Sequence, residues 1–130
     1  MEAAQRYLEA KERSMVGSEM WAQATALAFN MLQQEECAEA AKPEWWNDQG
    51  LKVMSVRVVR AALDDVGAHQ MRAMVLSGQC TSWEVGPRSA AELMEAATHF
   101  ERAAALHPAP AVKASFAGKV AWCRATAGAM

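Results

Sequence analysis

The chain has 130 residues, 52% hydrophobic and 22% charged, with a formal net charge of −2. That length suits one folded domain, the balance excludes a disordered chain, and the near-neutral charge excludes the basic field of a nucleic-acid binder. Isoleucine is absent, and threonine and tyrosine are scarce beside abundant alanine, methionine and leucine, which favours helices over an extensive sheet.

Cys37, Cys80 and Cys123 are odd in number and form no C-x-x-C. They point to free thiols in a reducing compartment. No apolar run approaches the ~20 residues of a membrane span. The N-terminal "MEAAQRYLEAKERS" mixes acids with bases, unlike a secretory signal. The expected setting is the cytoplasm or an organelle matrix.

The first predicted helix runs from Glu2 to Ser14, with a thin apolar stripe of Ala3, Tyr7 and Ala10. Gly17 ends that segment and Ser18 is the N-cap of the next. The second helix is expected from Glu19 to Ala41. Met20, Ala24, Leu27, Ala28, Met31 and Leu32 share one face, opposite Glu19, Gln23, Asn30, Gln33 and Gln34. Pro43 in "KPEWWNDQG" stops it. Asn47 or Asp48 caps a third helix to Leu63, whose stripe is Leu51, Met54, Val58, Ala61 and Ala62, broadened by Val56, Val59 and Leu63. Arg57 and Arg60 point outward.

A fourth helix, Val66 to Ser77, ends at Gly78. A turn-rich loop with Trp83 follows, and then S-A-A-E, Ser89 to Glu92, spells a capping box. The fifth helix, to about His107, buries Leu93, Ala96, Ala97, Phe100, Ala103 and Ala104. Pro108 stops it and Pro110 opens the sixth, which runs to about Ala127. That helix has two apolar stripes. One is Val112, Phe116, Val120, Cys123 and Ala127; the other is Ala114, Gly118, Ala121 and Ala125, edged by Trp122. The second stripe needs a cover, either the first or second helix folding back or an external partner.

Arg60-Ala61-Ala62 recurs as Arg102-Ala103-Ala104, 42 residues on. The excess over a 34-residue helix-pair repeat is about eight residues, the size of an insertion at about 79–88. Ala96, Phe100 and Pro108 stand in the order A-x3-F…P, with Ala103 where a small residue admits a neighbouring helix. On these residues the segment from about Ala90 to Pro110 resembles the tetratricopeptide repeat family. The W-x2-L-G-x2-Y pattern of that family is missing from the fourth helix, and Val58 stands in the earlier copy for phenylalanine. The resemblance implies an all-α domain of about six antiparallel helices, hairpins stacked in a short right-handed array, and protein binding. "WWNDQGL" and "WEVGPRSAAEL" also resemble segments of algal proteins of unknown function, which imply no activity.

No recognised catalytic motif appears: no G-x-S-x-G, P-loop or G-x-G-x-x-G. His69, His99 and His107 lack H-x3-H spacing, and Glu95 with His99 reads as a solvated i,i+4 pair beside Arg102. Neither a metal nor a cofactor is expected. Trp45 and Trp46 have too few basic neighbours for single-strand binding; one ring is expected in the core. The leading expectation is a non-catalytic interaction module, a scaffold or accessory subunit, binding another protein through Trp46, Trp83, Val85, Arg88, Gly118 and Trp122. Two alternatives stand beside it: a homodimer joined through the last helix, and a thiol-dependent enzyme centred on Cys80.

Overall fold

The computed structural model describes residues 2–34, 43–79 and 83–130, and the side chains of all of these except 2–4 and 34. Six helices follow in order: α1 (Glu2–Arg13), α2 (Glu19–Gln34), α3 (Asp48–Ala61), α4 (Val66–Ser77), α5 (Ala90–Leu106) and α6 (Pro110–Gly128). The protein is all-α, with no strand among the described residues. The expected extension of the second helix beyond Gln34, to Ala41, lies outside the described residues.

Side-chain caps fix most of the helix starts. Ser18 Oγ accepts from the Trp21 N–H, Asn47 from Gly50, Asp65 from Ala68 and Ser89 from Glu92. Each satisfies a donor that the helix itself leaves free. The Ser89–Glu92 capping box is complete, and Pro110 sits in the first turn of α6. Gly78 ends α4 at φ 69°, a left-handed position that suits glycine.

The helices pack as successive neighbours: α1 on α2, α2 on α3 and α4, α3 on α4, α4 on α5, α5 on α6. Three cross-links show that α4 and α5 run antiparallel. His69 meets His99, Arg72 meets Glu95 and, just before α4, Asp64 meets Arg102. As one residue number rises, its partner's falls.

Two apolar cores result. The first gathers Trp21, Phe29, Leu32, Leu51, Val58, Met71, Val75, Trp46 and Trp83. The second gathers Leu76, Ala96, Ala97, Phe100, Phe116, Val120 and Cys123, with the Phe100 and Phe116 rings 6.0 Å apart. Helix α4 serves both and is buried at seven positions. It is therefore the seam of the molecule.

The buried faces of α5 and α6 fall where their spacing places them. Helix α2 buries Ala24, Ala28 and Leu32 of its expected face but leaves Met20 and Leu27 outside. Trp21, Ala22, Thr25, Ala28, Phe29 and Leu32 face inward, while Met20 is 72% exposed and Leu27 43%. Trp21, Thr25, Phe29 and Leu32 also keep three-and-four spacing, and this stripe carries two large aromatic rings. Burying them removes more apolar surface from water than burying Met20 and Leu27 would. In α3, Leu63 proves 62% exposed beyond the helix end, and Ser55 is buried in the stripe.

Candidate functional site

The loop residues singled out by sequence lie inside the fold. Trp83 is 8% exposed, 5.9 Å from the Trp46 ring and 6.1 Å from Phe29. It packs on α2 and the entry to α3. The long-range cause is Asp48, in the first turn of α3. Its Oδ1 accepts from Trp83 Nε1 at 3.1 Å and from Arg88 Nη2 at 2.6 Å, and its Oδ2 accepts from Arg88 Nη1 at 3.0 Å. Such a two-pronged guanidinium–carboxylate contact is among the stronger protein hydrogen-bond arrangements.

Arg88 also donates to the Val75 carbonyl at 2.8 Å, closing the C-terminal end of α4, and to the Gly86 carbonyl. Its guanidinium is thus committed within the chain rather than offered to a partner. Lys52 continues the network, 2.7 Å from Glu92. The Arg88 hydrogen bonds, foremost, and the Trp83 indole hold the Asp48 carboxyl down at about 2 against an ordinary 3.8. Val85 is half-buried against the first core. Trp46 is 8% exposed, while Trp45 is half-buried with the Lys11 ammonium 5.6 Å from its ring centre. Trp46, Trp83 and Arg88, expected at a partner surface, thus have most of their side chains packed or hydrogen-bonded within the fold.

The last helix differs. Phe116, Val120, Cys123 and Ala127 close the second core. On the opposite side Ala111, Ala114, Ala117, Gly118, Ala121 and Ala125 are all exposed, and Trp122 is 40% exposed at their edge. Among the described residues neither the first nor the second helix covers this face: α1 packs on α2, α6 packs on α5, and the face residues stay exposed. A Cβ built on Gly118 would meet nothing within 4 Å. A shallow groove beside this face, between α5 and α6, is lined by Ala104, Ala117, Val120 and Ala121, with Glu101 and Arg124 paired at its rim.

A second polar arrangement joins α4 to α5. His69 Nδ1 lies 3.0 Å from His99 Nδ1, and His69 Nε2 lies 2.6 Å from the Leu63 carbonyl. His99 Nε2 faces Glu95 Oε2 at 3.3 Å, and Arg72 Nε donates to the same oxygen at 3.1 Å. Arg72 Nη1 reaches Ser55 Oγ and the Lys52 carbonyl. Burial, foremost, and then His69 lower the His99 pKa, against the opposing pull of Glu95. His99 is consequently not the solvated partner of Glu95 alone. The missed signal was the hairpin itself. An antiparallel pair turning near residue 84 places 69 opposite 99 and 72 opposite 95.

No group of three His, Cys, Asp or Glu side chains is arranged to hold a metal ion among the described residues. Cys123 is buried in the second core, and burial raises its thiol pKa, the reverse of what a nucleophile needs. Cys80, on which the thiol-enzyme alternative rests, lies outside the described residues. A groove of about 420 Å³ between α2 and α4 is lined by Gln23, Phe29, Asn30, Gln70, Met71 and Met74. Asp65 borders it, and its carboxylate caps α4. No described helix is long and apolar enough to cross a membrane.

No family model, curated protein or solved structure matches the chain.

Proposed function

We propose that this chain is a non-catalytic docking module, a scaffold or accessory subunit that binds another protein through the outer face of α6. Gly118 is the observation that carries the reading. A mid-helix glycine costs about 1 kcal/mol relative to alanine, and among the described residues no atom of another element lies within 4 Å of where a Cβ would sit. The close approach it permits suits a partner seated on this face. The surrounding alanines extend that approach along several turns, and Trp122 supplies the large ring that interface hot spots favour.

The flanking charges select the kind of partner. Lys113, Lys119 and Arg124 are the only charged residues of α6. A second α6 would bring like charges together, which weighs against the homodimer. The fitting partner is a helix with a small-residue stripe and acidic flanks. The resemblance to helical-hairpin repeats agrees with a binding role, and the free-thiol composition agrees with a reducing compartment.

The test pairs Gly118→Glu with Gly118→Ala. The glutamate variant adds bulk and a charge to an exposed site, so it should fold normally and lose the protein that the wild type captures from native extract. The alanine variant should melt higher. Light scattering should show a monomer at micromolar concentration. Equal capture by wild type and Gly118→Glu, or a dimer that this variant dissociates, would overturn the reading.

A further inference from the structure

We propose that His69 and His99 form a proton-sensitive latch between α4 and α5, closed while one hydrogen lies between the facing Nδ1 atoms and opened when both rings are protonated. The argument is a count of hydrogens. The Leu63 carbonyl can only accept, so His69 Nε2, 2.6 Å away, carries a hydrogen. Neutral His69 then presents a bare Nδ1. The 3.0 Å contact forms only if His99 Nδ1 donates to it. His99 Nε2 is left facing the Glu95 carboxylate. A proton can be added there without moving any atom, since the resulting imidazolium donates at both ends.

A second proton has no such place. It must go to His69 Nδ1, setting two N–H groups head-on at 3.0 Å with no acceptor between them. Two cationic rings would also stack with centroids 5.2 Å apart. The closed seam therefore takes one proton, whereas the open seam takes two.

The charges around the pair are distributed among the packed elements. Helix α4 contributes Arg72, α5 contributes Glu95 and the more distant Arg102, and Asp64 from the α3–α4 link pairs with Arg102. Lys52 of α3 meets Asp48 and Glu92. The α6 ion pair to α5 is Arg124 with Glu101. Thus, among the described residues, Glu95 is the acid that touches the pair and Arg72 already shares it, leaving no second described carboxylate to receive the second proton. The lowering of the His99 pKa by burial and by His69 is in the same direction.

The sign follows. The closed state binds fewer protons than the open one, so the latch is fully closed above the ordinary histidine range near 6.5 and weakens as pH falls through it. For one extra proton the opening equilibrium grows up to about tenfold per pH unit. The Asp48–Arg88 clip at the start of α5 titrates far lower, at about 2. Mild acid would therefore free the middle of α5 while its beginning stays tethered.

The test uses the full chain with isotope-labelled histidine, titrated from pH 8 to 5, with amide exchange followed in parallel. His69 and His99 should shift together. Protection of Ala96–Ala103, corrected for the intrinsic rate, should fall by up to about tenfold per unit below 6.5, while Trp21–Leu32 stays unchanged. His99→Gln should abolish this step and His107→Gln should keep it. Rings that titrate independently, α5 protection that ignores pH, or a His99→Gln chain with the wild-type step would each overturn the latch. If His99→Gln does not fold, the wild-type titration alone decides.

Discussion

The loop between α4 and α5 and the outer face of α6 differ in composition and, on this account, in use. The loop carries tryptophan, arginine and glycine, the residue types from which binding sites are made, and the fold uses them internally. Trp83 fills the first core, and Arg88 joins α3 to the end of α4. The α6 face carries mostly alanine and glycine, and it is left uncovered. Residue type alone therefore misjudges a surface; what decides is whether the chain supplies its own partner. Asp48 does so for the loop, from 40 residues away.

The largest expected effect lies in the loop. Trp83→Ala should destabilise by about 3–5 kcal/mol, the usual cost of truncating a buried aromatic ring, read as a fall in the denaturant midpoint. A change under about 1 kcal/mol would mean that the ring is not core. The next contrast is between two glycines. A Cβ on Gly50 would lie 2.5 Å from the Trp45 carbonyl oxygen, so Gly50→Ala should cost about 1–3 kcal/mol by overpacking. Gly118→Ala should instead gain about 0.5–1 kcal/mol from helix propensity. Thermal melts of the pair check the opposite signs.

Acid should separate the regions next. Because the folded-state pKa of Asp48 is lowered, the folded chain binds fewer protons than the unfolded one below the ordinary 3.8. The clip's contribution is complete above about pH 5 and is lost as pH falls towards 2. Replacing Asp48 with Asn should flatten stability across that window and leave the step near 6.5 in place. The smallest effect belongs to Trp122→Ala, about 1 kcal/mol or less for a half-exposed ring. A loss as large as that of Trp83→Ala would place Trp122 in a core and end the contrast.

Local chemistry made much of this architecture legible. Ser89–Glu92, Pro110 and Gly78 each mark a helix end through backbone donors, acceptors or φ within a few residues, and those ends stand where the sequence places them. The faces of α5 and α6 were legible because each has one dominant apolar stripe. Helix α2 has two competing stripes, and only the tertiary packing of Trp21 and Phe29 decides between them. The polar pairs that join the helices were least legible because they are long-range. Asp48 with Arg88, and His69 with His99, are invisible until the helices are paired. The α6 face was legible as an uncovered stripe, since that required only the helix's own periodicity.

The most direct measurement is hydroxyl-radical footprinting of the five tryptophans in the folded chain, read by mass spectrometry. The account predicts fast oxidation at Trp122 and protection at Trp21, Trp46 and Trp83, with Trp45 between. Rapid oxidation of Trp83 together with protection of Trp122 would contradict it, placing the open surface on the loop and the covered one on α6.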